Sequence, residues 1–220
     1  MGAWCENPLD LFRLATFVMS DRIPEGCSAA YLFGHTPDNE VPILHEGLSL
    51  YRNENIRTLL VGGGEPYLPK PNSPVAYSGG HAWQRALVAN GVREGDVIRC
   101  PYLGPAPHHT GNEPGDFMPV VKDKGWESIC IVSIPFHMLR AFVSTVSYVL
   151  RKEINLRVYA RAATTQAWNE VVASSQGVVF GNRLTTLMEA EWTRLNTIYG
   201  NEHDLLPAKA ILEYIYDRDR

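Results

Sequence analysis

Short runs of consecutive apolar residues alternate along this chain with longer stretches in which apolar residues recur every three or four positions. The apolar runs lie within residues 28–33, 57–61, 96–100, 128–133 and 156–160. The periodic stretches cover residues 41–52, 81–90 and 135–151, and a further one begins near residue 110. Unbroken short runs predict strands buried on both faces, and the wider spacing predicts helices. Strands alternating with helices predict a doubly wound, Rossmann-like α/β fold with a mainly parallel sheet.

The two ends of the chain depart from this alternation. Residues 8–19 carry an apolar face that is typical of an amphipathic helix covering the domain. After residue 160, helices are predicted at 182–199 and 207–216. We therefore expect three parts, the last of them folded over the cleft: an N-terminal helical arm (1–27), a Rossmann-like α/β core (28–165) and a C-terminal helical extension of the same domain (166–220).

Composition narrows the functional classes. The net charge is −4, from 24 acidic and 20 basic residues, and no block of Lys or Arg occurs. This argues against a nucleic-acid or membrane-surface binder held by charge. Asp10 and Arg13 interrupt the apolar residues of the first helix, which argues against an export signal or a membrane span. Four scattered cysteines predict reduced thiols rather than a zinc cage, which favours a cytoplasmic protein. We expect a small-molecule ligand as the partner and make no prediction of the oligomeric state.

The fourth strand candidate and the helix after it form the strongest candidate site. The strand ends at Ser133, and the helix begins at Pro135 and carries His137 and Arg140 on one face. Ligands of open α/β sheets bind at the carboxyl ends of strands, and a helix N-terminus favours an anion. We predict that Arg140 neutralises an anionic group, that His137 acts as general acid or base or as a donor, and that Ser133 supplies a hydroxyl. The alternative is a histidine packed under the helix and an arginine paired with a surface acid.

A glycine triplet follows the second strand candidate. Gly62, Gly63 and Gly64 free the backbone to turn sharply and to point N–H groups at a ligand. The triplet is neither the Gly-x-Gly-x-x-Gly dinucleotide fingerprint nor a phosphate-binding P-loop. A tight turn without a ligand explains it equally well.

The helix that begins near Thr110 has two interpretations. Thr110 and Glu113 have the spacing of a capping box, in which Thr110 caps the helix and Glu113 bonds back to it. The functional alternative places Thr110 and Asn112 against the ligand and lets Glu113 orient a hydroxyl or an amine. Pro119 is expected to kink this helix or end it early.

The position of the first strand predicts further polar residues at the cleft. Gly34 and His35 follow that strand, and Glu46 lies on the next helix, so all three are candidates to line the cleft. The adjacent pair His108 and His109 predicts a solvated loop. No Gly-x-Ser-x-Gly or His-Glu-x-x-His motif occurs, which weakens the corresponding hydrolase interpretations.

Several short motifs occur in a characteristic order. They are Ala-Tyr-Leu-Phe-Gly at 30–34, His-Glu-Gly-Leu-Ser-Leu-Tyr at 45–51, Leu-Leu-Val-Gly-Gly at 59–63, Asn-Gly-Val at 90–92, Thr110-x-x-Glu113, and Ile-Val-Ser-x-x-x-His-Met-x-Arg-Ala at 131–141. Over about residues 29–160 this order resembles the YdcF/SanA/ElyC-like family, a bacterial domain of unknown function. The tail Glu191-x-x-Arg194-Leu195-x-x-x-Tyr199 resembles the helical end of the YdcF-like branch.

The resemblance implies a Rossmann-like fold and a nucleoside-type or phosphate-bearing ligand, with S-adenosylmethionine or a nucleotide as the candidate cofactor. Ile43 stands where an arginine is common in the family, and His81 stands where a glutamate is common, so His81 is a candidate substitute acid or base. We predict a YdcF-like small-molecule transferase or hydrolase. The alternatives are a non-catalytic binding or sensor protein and a metal-dependent hydrolase that uses His35, His81 and His137.

Overall fold

The computed structural model describes residues 4–53, 56–66, 77–103, 110–164, 167–173, 180–182, 186–198 and 205–220. Within these residues, five strands form a parallel sheet in the order β3-β2-β1-β4-β5. The strands are β1 (Ala29–Leu32), β2 (Leu59–Gly62), β3 (Val97–Cys100), β4 (Ser128–Ser133) and β5 (Arg157–Ala162). This sheet confirms the predicted doubly wound, Rossmann-like α/β fold.

The described part of the chain also contains helices and one small hairpin. The helices are α1 (Pro8–Met19), α2 (Pro37–Arg52), α3 (Gly80–Ala89), α4 (Glu113–Asp123), α5 (Pro135–Arg151), α6 (Met188–Ile198) and α7 (Ala208–Arg218), and a short 3-10 turn spans Glu94–Asp96. The hairpin pairs β6 (Val171–Ala173) with β7 (Phe180–Asn182) in antiparallel fashion.

The strands are buried because helices cover both sides of the sheet. Successive residues of a strand point to opposite faces. Tyr31 therefore packs into the layer that holds α1, α4, α5 and α7, while Leu32 packs into the layer that holds α2 and α3. Both side chains are fully buried, which explains why the strands appear in the sequence as unbroken apolar runs.

The predicted elements match the structure best where the local signal is strong. Residues 8–19, 128–133 and 135–151 coincide with α1, β4 and α5. The helix predicted over 182–199 is shorter, because residue 182 belongs to β7 and α6 begins at Met188. The hairpin was not predicted, since its three-residue strands are too short to show a period.

Pro119 corrects one expectation. Helix α4 continues through it to Asp123, although the pyrrolidine ring removes one backbone donor. Pro119 lies on the exposed side of the helix, where water can satisfy the carbonyl that loses its partner. The prediction that Pro119 ends the helix early is therefore wrong.

The two C-terminal helices take different positions. Helix α6 packs against α5 near the carboxyl end of the sheet, whereas α7 packs against α1 and α5. Tyr214 and Arg218 of α7 bond the backbone of strand β5 at its outer edge. None of the described helices is long and apolar enough to cross a bilayer.

Candidate functional site

The strand order reverses between β1 and β4, and polar side chains collect at that point. Leu32 of β1 pairs with Val132 of β4, so the residues that follow both strands lie side by side. Helix α2 starts just after β1, and α5 starts just after β4. A crevice outside the carboxyl ends of strands at such a reversal is the usual ligand position of doubly wound sheets.

His137 stands in the first turn of α5 and bonds two hydroxyl groups. Its Nδ1 lies 2.8 Å from Oγ of Ser133, the last residue of β4. Its Nε2 lies 2.8 Å from Oγ1 of Thr110. The structure thus brings together three predicted site residues that are separated along the chain, and all three are buried.

Arg140 joins this group from the next turn of α5. Its Nη1 donates to Oγ1 of Thr110 at 2.7 Å, and its Nε and Nη2 donate to the Glu191 carboxylate at 2.5 and 3.1 Å. Arg194 donates to Oε1 of the same carboxylate at 2.5 Å. Arg140 is therefore held by a buried acid of α6, and its predicted role toward a ligand anion stays a prediction.

Burial and the two guanidinium groups set the charge states. Burial, and then the charge of Arg140, lower the pKa of His137 well below 6.5, so the imidazole is neutral at neutral pH. For Glu191, burial raises the pKa, but the ion pairs with Arg140 and Arg194 outweigh it and leave the pKa lowered. The cluster is thus a neutral imidazole beside an ionised carboxylate and two cations.

His35 completes the group from the end of β1. Its ring is fully buried, and its centroid lies 5.2 Å from that of His137 and 5.7 Å from that of Phe136. Neither Nδ1 nor Nε2 has a hydrogen-bond partner among the described residues. Burial, and then the charge of neighbouring groups, lower the pKa of His35 well below 6.5. The sequence predicts His35 at the cleft but gives no sign of this unmet hydrogen-bonding capacity.

Glu113 lies on the other side of β1. Its Oε2 accepts from the Tyr31 hydroxyl at 2.8 Å and from the Gly34 N–H at 3.2 Å. Thr110 is committed to His137 and Arg140, and Asn112 is the N-cap residue of α4 without a side-chain cap bond. The capping-box prediction is therefore wrong, because a charge-assisted bond from Arg140 engages the Thr110 hydroxyl. The alternative, in which this helix start contributes polar groups to the cleft, stays a prediction.

The glycine turn after β2 has a packing explanation within the chain. A Cβ atom on Gly63 would lie 2.0 Å from the Cys100 carbonyl oxygen, and one on Gly64 would lie 2.9 Å from the Tyr102 ring. The Tyr77 hydroxyl donates to the Gly62 carbonyl at 2.7 Å. These contacts favour the tight-turn interpretation of the triplet, and binding by its N–H groups stays a prediction.

Two other predicted residues lie apart from His137. The Nε2 atom of His81 accepts from Arg99 of the edge strand β3 at 2.7 Å, on the exposed surface. Glu46 of α2 faces Arg161 of β5 at 3.7 Å. Ile43 is fully buried in the core.

The metal-dependent alternative finds no support in this arrangement. Both ring nitrogens of His137 are engaged, and His81 bonds Arg99. No group of three or more His, Cys, Asp or Glu side chains arranged to hold a metal ion occurs in the described part of the chain. The predicted histidine loop at 108–109 lies outside the described residues.

Glu191 and Arg194 are the site residues that sequence reasoning missed. In the sequence they stand out only as part of a tail that resembles the helical end of the YdcF-like branch. Their spacing of three places both on one face of α6, which is the signal that could have marked them as a unit. Nothing in the local sequence pairs them with Arg140, 51 positions earlier than Glu191.

Comparison with known proteins adds no relative: neither protein-family models, nor curated proteins, nor solved structures gave a match to this chain.

Proposed function

We propose that this protein binds a nucleoside-type or phosphate-bearing small molecule, such as S-adenosylmethionine or a nucleotide, at the carboxyl ends of β1 and β4. One observation carries the proposal: Thr110, Ser133, His137 and Arg140 form a buried hydrogen-bonded group at the reversal of the strand order. Buried polar side chains beside helix N-termini commonly line the sites that position polar ligands in such folds.

The resemblance to YdcF-like proteins supports the same ligand class, and the charge of the cluster agrees with it. Arg140 and Arg194 together outweigh Glu191 by one positive charge when the histidines are neutral. A ligand with an anionic part therefore meets a favourable field on the side where Arg194 remains partly exposed.

A ligand panel tests this proposal on the purified full chain. Thermal shift and equilibrium dialysis against S-adenosylmethionine, AMP and adenosine should give saturable binding by one of them. Thr110→Val should weaken that binding, because it removes the hydroxyl that Arg140 and His137 share. Thr145→Val is the matched control, since Thr145 is also buried and, among the described residues, its hydroxyl donates to the Ala141 carbonyl of its own helix. The absence of binding by all three compounds would end the proposal.

Two activities are compatible with this binding. A transferase or hydrolase would use His137 or His35 as the proton-transfer group. A non-catalytic sensor is favoured by one observation: His137 is fully buried, and both of its ring nitrogens are already bonded to hydroxyl groups. His137→Asn separates the two, because a catalyst loses turnover while retaining ligand, whereas a sensor has no turnover to lose.

A further inference from the structure

We propose that His35 receives an uncharged group of the ligand that both donates and accepts a hydrogen bond, such as a hydroxyl or an amide. This inference rests on the proposed function and sharpens it. It assigns the nucleoside-like part of the ligand to His35 and leaves any phosphate at another place in the cleft.

His35 has hydrogen-bonding capacity that the described part of the fold does not use. The side chain is 0% exposed, and neither ring nitrogen has a partner among the described residues. Buried polar side chains of native proteins almost always have a protein or water partner. The ring also lies beyond the carboxyl ends of β1 and β4, in edge contact with His137 and Phe136 of the first turn of α5. A ligand group that bonds both ring nitrogens would complete this unused capacity.

The groups around His35 disfavour a positive charge on its ring. The charged and titratable groups that act on His35 are His137 and Arg140 of α5 and Glu191 and Arg194 of α6. Burial and the two guanidinium groups oppose a further positive charge, which keeps the pKa of His35 low and its ring neutral. A neutral imidazole offers one N–H donor and one nitrogen acceptor. Its complement is a group with the same double character.

The nearby guanidinium groups already donate hydrogen bonds to protein groups. All three nitrogens of Arg140 donate to Glu191 or Thr110. An anion at His35 would have to compete with the Glu191 carboxylate for them. The side chain of Arg194 is 19% exposed, so an anionic part of the same ligand can pair with Arg194 on the solvent side of the cluster. The cluster therefore orients the ligand with its uncharged end inward.

The test compares adenosine with inorganic phosphate by calorimetry on the purified full chain, between about pH 8 and about pH 5.5. Adenosine should bind with constant affinity near pH 8. Its affinity should stay the same down to about pH 5.5, because burial and the neighbouring groups lower the pKa of His35 well below 6.5 and keep its ring neutral over this range. Inorganic phosphate should neither displace adenosine nor bind more tightly as the pH falls.

Two substitutions at His35 make the test specific. His35→Gln retains a neutral donor and acceptor, so it should keep adenosine binding at both pH values. His35→Leu removes both, so the affinity should fall by about tenfold or more. His45→Gln, an exposed histidine on α2, is the control and should behave as the unaltered protein. Thermal unfolding of each variant confirms that it is folded.

Three results would overturn the inference. The first is phosphate binding that depends on His35 and strengthens toward acid pH. The second is adenosine binding that survives His35→Leu in a folded variant. The third is binding of AMP or S-adenosylmethionine without binding of adenosine, which leaves the proposed function intact. If none of these compounds binds, the proposed function itself fails and this inference fails with it.

Discussion

The described part of the chain contains two buried arginine–carboxylate clusters with nearly the same burial and different surroundings. The cleft cluster joins Arg140 to Glu191, with side chains that are 3% and 6% exposed. The edge cluster joins Arg218 to Asp21, with side chains that are 2% and 8% exposed. Burying either pair requires removing two charges from water, which is repaid only when the remaining hydrogen bonds are also satisfied.

The edge cluster is fully explained by the fold. Arg218 donates to both carboxylate oxygens of Asp21 and to the Val158 carbonyl, and it lies 4.3 Å above the Tyr159 ring. Asp21 in turn accepts from the Ala160 N–H. These groups pair the outer backbone of β5, which would otherwise be an open sheet edge. The cluster protects an edge strand.

The cleft cluster lies beside polar atoms that have no hydrogen-bond partner among the described residues. The His35 ring has no partner among the described residues, although it lies against the residues that Arg140 organises. The contrast teaches that buried charge alone does not mark a site in this protein. The distinguishing feature is a buried group whose hydrogen bonds are incomplete.

The largest expected effect is at the cleft cluster. Glu191→Ala leaves the Arg140 guanidinium buried without its carboxylate, which should lower the free energy of unfolding by about 3–5 kcal/mol. Urea denaturation measures this. Glu191→Gln, which keeps the shape and one acceptor oxygen, should cost less. A loss below about 1 kcal/mol for the alanine variant would show that α6 moves aside and lets water reach Arg140.

The edge cluster should lose less stability from the same kind of change. Asp21→Ala leaves Arg218 its bonds to Asp219 but removes the acceptor of the Ala160 N–H. We expect a loss of about 2–3 kcal/mol in urea denaturation. Ligand binding, measured by the thermal shift of the same variant, should not change. An altered ligand affinity would contradict the separation of the two clusters.

Acid should destabilise the protein through the cleft histidines. The folded state holds the pKa of both His35 and His137 below the ordinary value of 6.5. The unfolded state therefore binds more protons in this window, and stability falls as the pH falls through 6.5. Between pH 6.5 and 5.5 the loss should be about 1 kcal/mol for each histidine.

Urea denaturation across this pH range measures the slope. His35→Gln should remove the share that belongs to His35, whereas Asp21→Ala should leave the slope unchanged because the edge cluster contains no histidine. Equal slopes in the unaltered protein and in His35→Gln would show that His35 is not held neutral.

The smallest expected effect has the opposite sign. His35→Leu removes a buried ring whose nitrogens lack partners among the described residues, so the free protein should gain about 1 kcal/mol at neutral pH. The same variant should lose ligand affinity. Lower stability together with normal ligand binding would mean that the ring has a structural role.

Much of the fold followed from local signals. The unbroken run at 128–133, the proline after it and the periodic stretch at 135–151 gave β4 and α5 with their observed bounds. Strands buried on both faces and proline at a first helical position are properties of neighbouring residues, so one sequence suffices to predict them.

The site was only partly predictable. Ser133, His137 and Thr110 were candidates and are hydrogen-bonded together, but the partner of Thr110 was expected to be a helix start. The Tyr31 hydroxyl that binds Glu113 had no signal beyond its apolar strand. The Ser133–His137 bond spans four positions, but the bonds from Thr110 to His137 and from Tyr31 to Glu113 join residues tens of positions apart, and no local period encodes them.

By itself the sequence determined the sheet, the helix layers and the end of the sheet at which polar residues gather, because these depend on period and on residue type. Only the tertiary structure decided that Arg140 faces Glu191 and that His35 is enclosed without a partner. The physical reason is that charge pairing and burial depend on which surfaces meet. That meeting is set by the docking of α6 on α5, which chain order does not reveal.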